Sequence, residues 1–102
     1  MTGVRLVGGS RCSGRVEVLH ATTWATVCGA GFGQHEAEVV CRELGCGSPV
    51  EVLGANAFGS SEGQVWEKTL RCKGTESQIH FCPTSLRNQN CSQSNGVGLV
   101  CA

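Results

Sequence analysis

The chain has 102 residues, which suits one domain rather than two. Eight Lys and Arg balance eight acidic residues, so the formal net charge is zero, which argues against a general nucleic-acid binder and against a disordered acidic tail. The hydrophobic fraction of 40% includes eight Cys but only two Trp, three Phe and no Tyr, so the apolar core is thin for a chain that buries only part of its surface.

Val4-Arg5-Leu6-Val7 is short and apolar, and Gly8-Gly9 breaks it. Arg15-Val16-Glu17-Val18-Leu19 alternates apolar and charged residues, the pattern of a half-buried strand. Thr23-Trp24-Ala25-Thr26-Val27 is rich in strand formers and is expected to pair with it as a hairpin through His20-Ala21-Thr22. After a glycine-rich break at 29–33, Ala37, Val40, Cys41 and Leu44 recur at i, i+3, i+4 and i+7. That spacing predicts one amphipathic helix, with Gln34, Glu38 and Arg42 facing out and Gly45 as its stop. Residues 47–63 read as loop, and Gln64 to Leu70 resumes a strand-like pattern. One helical turn is expected between Thr75 and Phe81, then a polar loop from Pro83 to Ser94, then a final strand at Val97-Gly98-Leu99-Val100. Short strands, one helix and long loops make an α+β domain over residues 3–102, with Met1-Thr2 read as an expression start before an excised domain.

Cysteines stand at 12, 28, 41, 46, 72, 82, 91 and 101. No pair forms the C-x2-C knuckle of a zinc site, and no His lies at ligand spacing. An even count in a short, thin-cored chain reads as a disulfide framework and hence an extracellular setting. Spacing alone leaves on the order of a hundred connectivities open. Each bridge would contribute about 3–4 kcal/mol in the chain-entropy model. No apolar run approaches the ~20 residues needed to span a bilayer, so no membrane insertion by this domain is expected.

The motifs then resemble a scavenger receptor cysteine-rich domain of the eight-cysteine kind. The match runs through Val4-Arg5-Leu6-Val7-Gly8-Gly9, Cys12-Ser13-Gly14-Arg15-Val16-Glu17-Val18, Trp24-Ala25-Thr26-Val27-Cys28, Val39 to Gly47, Cys72 to Glu76, Ile79, Cys82, Gly98 and Cys101. The style is similar to domains of macrophage haemoglobin scavenger receptors and related γδ T-cell receptors. The resemblance implies a small disulfide-stapled fold, a curved β-sheet cradling one α-helix. It also implies the pairing Cys12–Cys46, Cys28–Cys91, Cys41–Cys101 and Cys72–Cys82.

Many members of that family hold calcium through clustered acids, and calcium takes six to eight oxygens. Where the family has acids, this chain has Gly29-Ala30, Gly33 and Asn95-Gly96, and Glu76 alone keeps its carboxylate. All eight acids in the chain are Glu. No metal site and no cofactor are expected, and Glu76 is read as a structural hydrogen-bonding residue. Two other sets are candidate ligand contacts. One is the hairpin from Gly14 to Cys28 with Glu17 and Trp24, similar to a bacterial-surface-binding stretch of salivary agglutinin members. The other is the basic group Lys68, Arg71, Lys73 and Arg87, since exposed Arg often anchors interfaces. Asn90-Cys91-Ser92 fits the N-glycosylation pattern, although its middle residue is expected in a cystine.

Catalysis is not expected. There is no Asp to orient a triad, no G-x-S-x-G elbow, and no Cys left as a thiolate once all are paired. The expected function is extracellular recognition of a protein or microbial-surface ligand, in a parent receptor that is membrane-anchored or secreted with further such domains. The alternatives are a structural spacer in an array, or a polyanion or bacterial-surface binder acting through the 14–28 hairpin and the basic loops.

Overall fold

The computed structural model describes residues 2–59, 63–86, 91–92 and 95–102. Its elements in chain order are β1 (Thr2–Ser10), β2 (Ser13–His20), β3 (Thr23–Thr26), α1 (Gln34–Glu43), β4 (Pro49–Gly54), a 3-10 turn (Ala55–Phe58), β5 (Gln64–Val65), β6 (Lys68–Leu70), a second 3-10 turn (Ile79–Phe81), β7 (Thr84–Leu86) and β8 (Val97–Cys101).

β2 organises the six-stranded sheet. It pairs antiparallel with β1 along one edge, and along the other with β8 by its first residues and with β3 by its last. β4 extends the sheet beyond β8, and β5 runs parallel to β3 at the far end. The register follows from alternation, because successive side chains of a strand face opposite ways. Val16 and Val18 sit opposite Leu6 and Val4, and Ala25 also meets Val18, so one face of the sheet is aliphatic. Val16, Leu99, Val39, Val40 and Cys41 are among the most completely buried side chains and fill the space between sheet and helix. Burial of such side chains stabilises by about 1.5–3 kcal/mol each.

α1 carries the buried stripe expected of it, with Ala37, Val40 and Cys41 inside and Gln34 and Arg42 outside. Val39 and Glu36 are buried as well. Gly45 ends the helix at φ 72°, where its N–H reaches the Arg42 carbonyl and the Cys46 N–H reaches the Cys41 carbonyl. These two bonds form a Schellman motif, which needs the left-handed residue that glycine supplies.

The disulfides are Cys12–Cys46, Cys28–Cys91, Cys41–Cys101 and Cys72–Cys82, the set that the resemblance implies, and they leave no free cysteine. Two stretches read as loop contain strands. Within 47–63, Pro49–Gly54 is β4, an edge strand with Val50, Glu51 and Val52 all exposed, so no alternation marks it. Within 83–94, Thr84–Leu86 is β7, which pairs with β6 as a separate ribbon. The strand-like run 64–70 is likewise divided, β5 joining the main sheet and β6 the ribbon.

The β2–β3 hairpin turns through Ala21 and Thr22, with His20 paired to Thr23. Ala21 has φ 58°, a left-handed conformation that costs an L-residue roughly 1–2 kcal/mol. Ala21→Gly is therefore expected to stabilise the chain by up to about 1 kcal/mol after the added unfolded-state entropy of Gly. Urea unfolding of the oxidised chain measures this, with a raised midpoint at unchanged slope as the expected outcome.

Candidate functional site

Glu76 and Lys73 lie on the cystine loop 72–82, with Lys68 and Arg71 just before it. The loop is closed by Cys72–Cys82 and is clamped to α1 by carboxylates. Glu36 sits at the third helical position, where its Oε1 accepts from the Gly33 N–H at 2.8 Å, the acid half of a capping box. Its Oε2 crosses to the loop and accepts from the Cys72 N–H at 3.0 Å. About two turns further on, Glu43 Oε1 accepts from the Ile79 N–H at 2.8 Å. Arg42 Nη1 donates to the Glu76 carbonyl at 2.7 Å. Within the loop, the Glu76 carboxylate accepts from the backbone N–H of Lys73 and of Gly74 at 3.0–3.1 Å. Those N–H groups, that of Lys73 foremost, hold its carboxyl below the usual carboxylate range.

These bonds bear on metal binding. Among the described residues one group of three donors lies close enough to hold an ion, namely Cys72, Glu76 and Cys82. Its two sulfurs are bonded to each other, which leaves one carboxylate already engaged by backbone N–H groups. At the positions where the resemblance places acids, the Gly29 N–H donates to the Asn95 carbonyl at 2.8 Å, and Gly33 is the N-cap of α1.

The basic residues do not form one patch. Lys68 and Arg71 belong to opposite faces of the β6–β7 ribbon by strand alternation. Lys68 is half-buried in a cleft with His20, Trp66 and His80. Arg71 is exposed and its Nε donates to Ser85 Oγ at 3.1 Å. Lys73 is exposed at the start of the cystine loop. Arg87 and Asn90 lie outside the described residues.

In the hairpin, Glu17 is buried and does not face solvent. Its carboxylate pairs with Arg5 at 2.7 Å and with Arg15 at 3.8 Å. Arg15 in turn donates to the Phe58 carbonyl, so the first 3-10 turn covers this second face of the sheet. Glu17 thereby orients Arg5, whose guanidinium lies 4.2 Å from the ring centroid of half-buried Trp24. The stack is a cation–π contact with an exposed Arg. Arg5 was missed because its role depends on the β1–β2 register, which places it directly opposite Glu17. Also missed were the exposed apolar side chains Val50, Val52, Phe81 and Leu86. A run of apolar residues in a loop gives no burial signal, so nothing in the sequence marks them as exposed.

Two substitutions separate the carboxylate roles. Glu36→Gln offers an N–H₂ where one backbone N–H needs an acceptor, and is expected to cost about 1–3 kcal/mol in chemical unfolding at neutral pH. For Glu76 the folded pKa is depressed, so its contribution is present above the unfolded carboxylate pKa and lost as pH falls through the folded one. The stability gap between wild type and Glu76→Gln is thus expected at pH 7 and expected to narrow steadily as pH falls below the ordinary carboxylate range, as read from urea midpoints across a pH series.

The geometry can be set beside known proteins. A family model described as the scavenger receptor cysteine-rich domain matches residues 6–102. The CD5 antigen-like protein of Mus musculus is 39% identical over 100 residues, covering 96% of this chain and 28% of that protein. The T-cell differentiation antigen CD6 of Mus musculus is also 39% identical over 100 residues, covering 97% of this chain and 15% of that protein. The chain thus spans less than a third of the length of these relatives. Among solved structures, the third such domain of murine neurotrypsin superposes with a TM-score of 0.84 at 30% identity, covering 99% of this chain and 96% of that one. On sequence, disulfides and fold together, the chain belongs to the scavenger receptor cysteine-rich family.

Proposed function

We propose that the chain is an extracellular recognition module that binds a protein or microbial-surface ligand without calcium. The observation that carries this reading is the commitment of four of its eight acids. Glu36, Glu43 and Glu76 accept backbone N–H groups, and Glu17 is buried between two arginines. A hard cation needs several free carboxylate oxygens in one place. Beside exposed Glu51 and Glu67, the surface offers a ligand cationic and apolar groups: Arg71 and Lys73 exposed, Lys68 half-exposed, Arg5 stacked on Trp24, and Phe81 and Leu86 uncovered. Arg and aromatic side chains of this kind are enriched where protein interfaces form. Four disulfides and no free thiol suit an oxidising, extracellular setting. Among the described residues no helix is long and apolar enough to cross a membrane, so anchoring would fall to other parts of a longer receptor. The names of two relatives, a CD5 antigen-like protein and a T-cell differentiation antigen, support an immune-receptor parent, in which this domain would stand with others.

The exposed cations favour one second reading, a polyanion binder. Salt separates the two, because binding to a polyanion falls steeply as ionic strength rises. Retention on immobilised heparin that is lost by about 0.2 M salt would favour the second reading, since surface charge interactions are screened there.

The calcium claim is tested by calorimetric titration of the oxidised chain to about 5 mM calcium, above the 10⁻⁴–10⁻³ M range of extracellular modules. Thermal melts with calcium and with chelator accompany it. No binding heat and coincident melts are expected. Saturable heat with a raised melting temperature would overturn the reading.

A further inference from the structure

We infer that the cleft between the β1–β2 end of the sheet and the cystine loop seats an acidic side chain of a protein ligand, with Lys68 as its charge partner and Phe81 and Leu86 as the apolar contacts beside it. The inference deepens the protein-recognition reading above and rests on it.

The cleft has a volume of about 220 Å³. Leu19, Trp66 and Ile79 form apolar wall, and its ionisable lining residues are Lys68, His20 and His80. Among the described residues no carboxylate lines it. That is notable in a chain with zero net charge and eight Glu. Glu67 follows Trp66 in the chain but lines an adjoining groove beside Gln64 and Val65, which shares His20 and Trp66 with the cleft. A half-buried ammonium beside apolar wall, with no acid among the described lining residues, is electrostatically complementary to a carboxylate brought from outside.

Size and surroundings decide the class of ligand. The cleft is smaller than the roughly 300–1,000 Å³ of sites that enclose a free small molecule. It suits one projecting side chain of a larger partner. The rim is apolar in a way that a partner protein would use. Leu86 stands directly opposite Lys68 in the β6–β7 register, so both side chains lie on the same side of the ribbon, and Leu86 is 73% exposed. Phe81 is 58% exposed, with its ring 4.4 Å from that of His80. An exposed aromatic and an exposed leucine near a cation make an apolar rim of the kind that marks protein contact, unlike the uniform cationic track that a polyanion would use.

The cleft carries its own reporter. The chain has two Trp, and the Trp66 Nε1–H is buried without an acceptor among the described residues. Its indole resonance can be told from that of Trp24 with a Trp24→Phe variant. The test titrates the oxidised full chain with a capped tripeptide holding a glutamate between two leucines, and in parallel with its glutamine analogue, followed by ¹H–¹⁵N NMR. The glutamate peptide is expected to shift the Trp66 indole and the His80 amide saturably, with Kd on the order of 1 mM. The glutamine analogue and the Lys68→Gln variant are each expected to bind about tenfold more weakly, the loss typical of a charge-assisted hydrogen bond. His80→Gln is expected to weaken binding less, and Arg11→Gln, away from the cleft, not at all. An unmoved Trp66 indole, equal binding of the glutamine analogue, or undiminished binding by Lys68→Gln would overturn the inference. Any of these leaves calcium independence standing, whereas a positive calcium titration strikes the broader reading and not the peptide result.

Discussion

The Cys41–Cys101 disulfide joins the buried stripe of the single helix to the last strand, and the rest of the structure depends on that tie. Its two cysteines lie 60 residues apart in sequence, so in the chain-entropy model the bond removes about 4 kcal/mol of unfolded-state freedom. Cys12–Cys46 secures the C-terminal end of the same helix to the turn between β1 and β2. Between these anchors a small set of aliphatic side chains is enough to fill the core. The helix is thereby placed so that one of its flanks faces residues 72–82.

That placement decides how the acids are used. The first and last turns of α1 present Glu36 and Glu43 to backbone N–H groups of a segment that otherwise has only short pieces of regular structure. Buried or partly buried N–H groups need acceptors, and here carboxylates supply what a neighbouring strand would. Glu76 does the same within the loop. Four carboxylates, Glu17, Glu36, Glu43 and Glu76, are therefore engaged within the fold, while Glu51 and Glu67 remain exposed beside the surface cations. The net charge is zero, yet the distribution is not even, and the recognition chemistry follows from the distribution.

Much of this was legible in the sequence wherever a period was present. β2 and the helix with its glycine stop show regular apolar spacing, β3 is rich in strand formers, and the structure has these as well as the expected turn before Cys82 and the last strand. β4 was not legible because Val50, Glu51 and Val52 are all exposed at a sheet edge, where pairing and not burial makes the strand. β7 was hidden for the same reason, being three residues long with a partner found only through the fold. In the candidate surface, composition could not tell that Lys68 and Arg71 diverge, since their separation depends on the pairing of β6. Nor could it tell that Glu17 is inside. An alternating apolar and charged strand implies a solvated charged face, and here the curl of the sheet brings the Ala55–Phe58 turn over that face.

The account turns on the carboxylates being occupied by backbone N–H groups, and amide hydrogen exchange reads that occupancy directly. The amides of Cys72, Lys73, Gly74 and Ile79 should exchange as slowly as neighbouring sheet amides, and neither their rates nor their chemical shifts should respond to added calcium. If those amides exchanged like an open loop, or moved when calcium was added, the carboxylates would be free to serve a cation and the central claim would be contradicted.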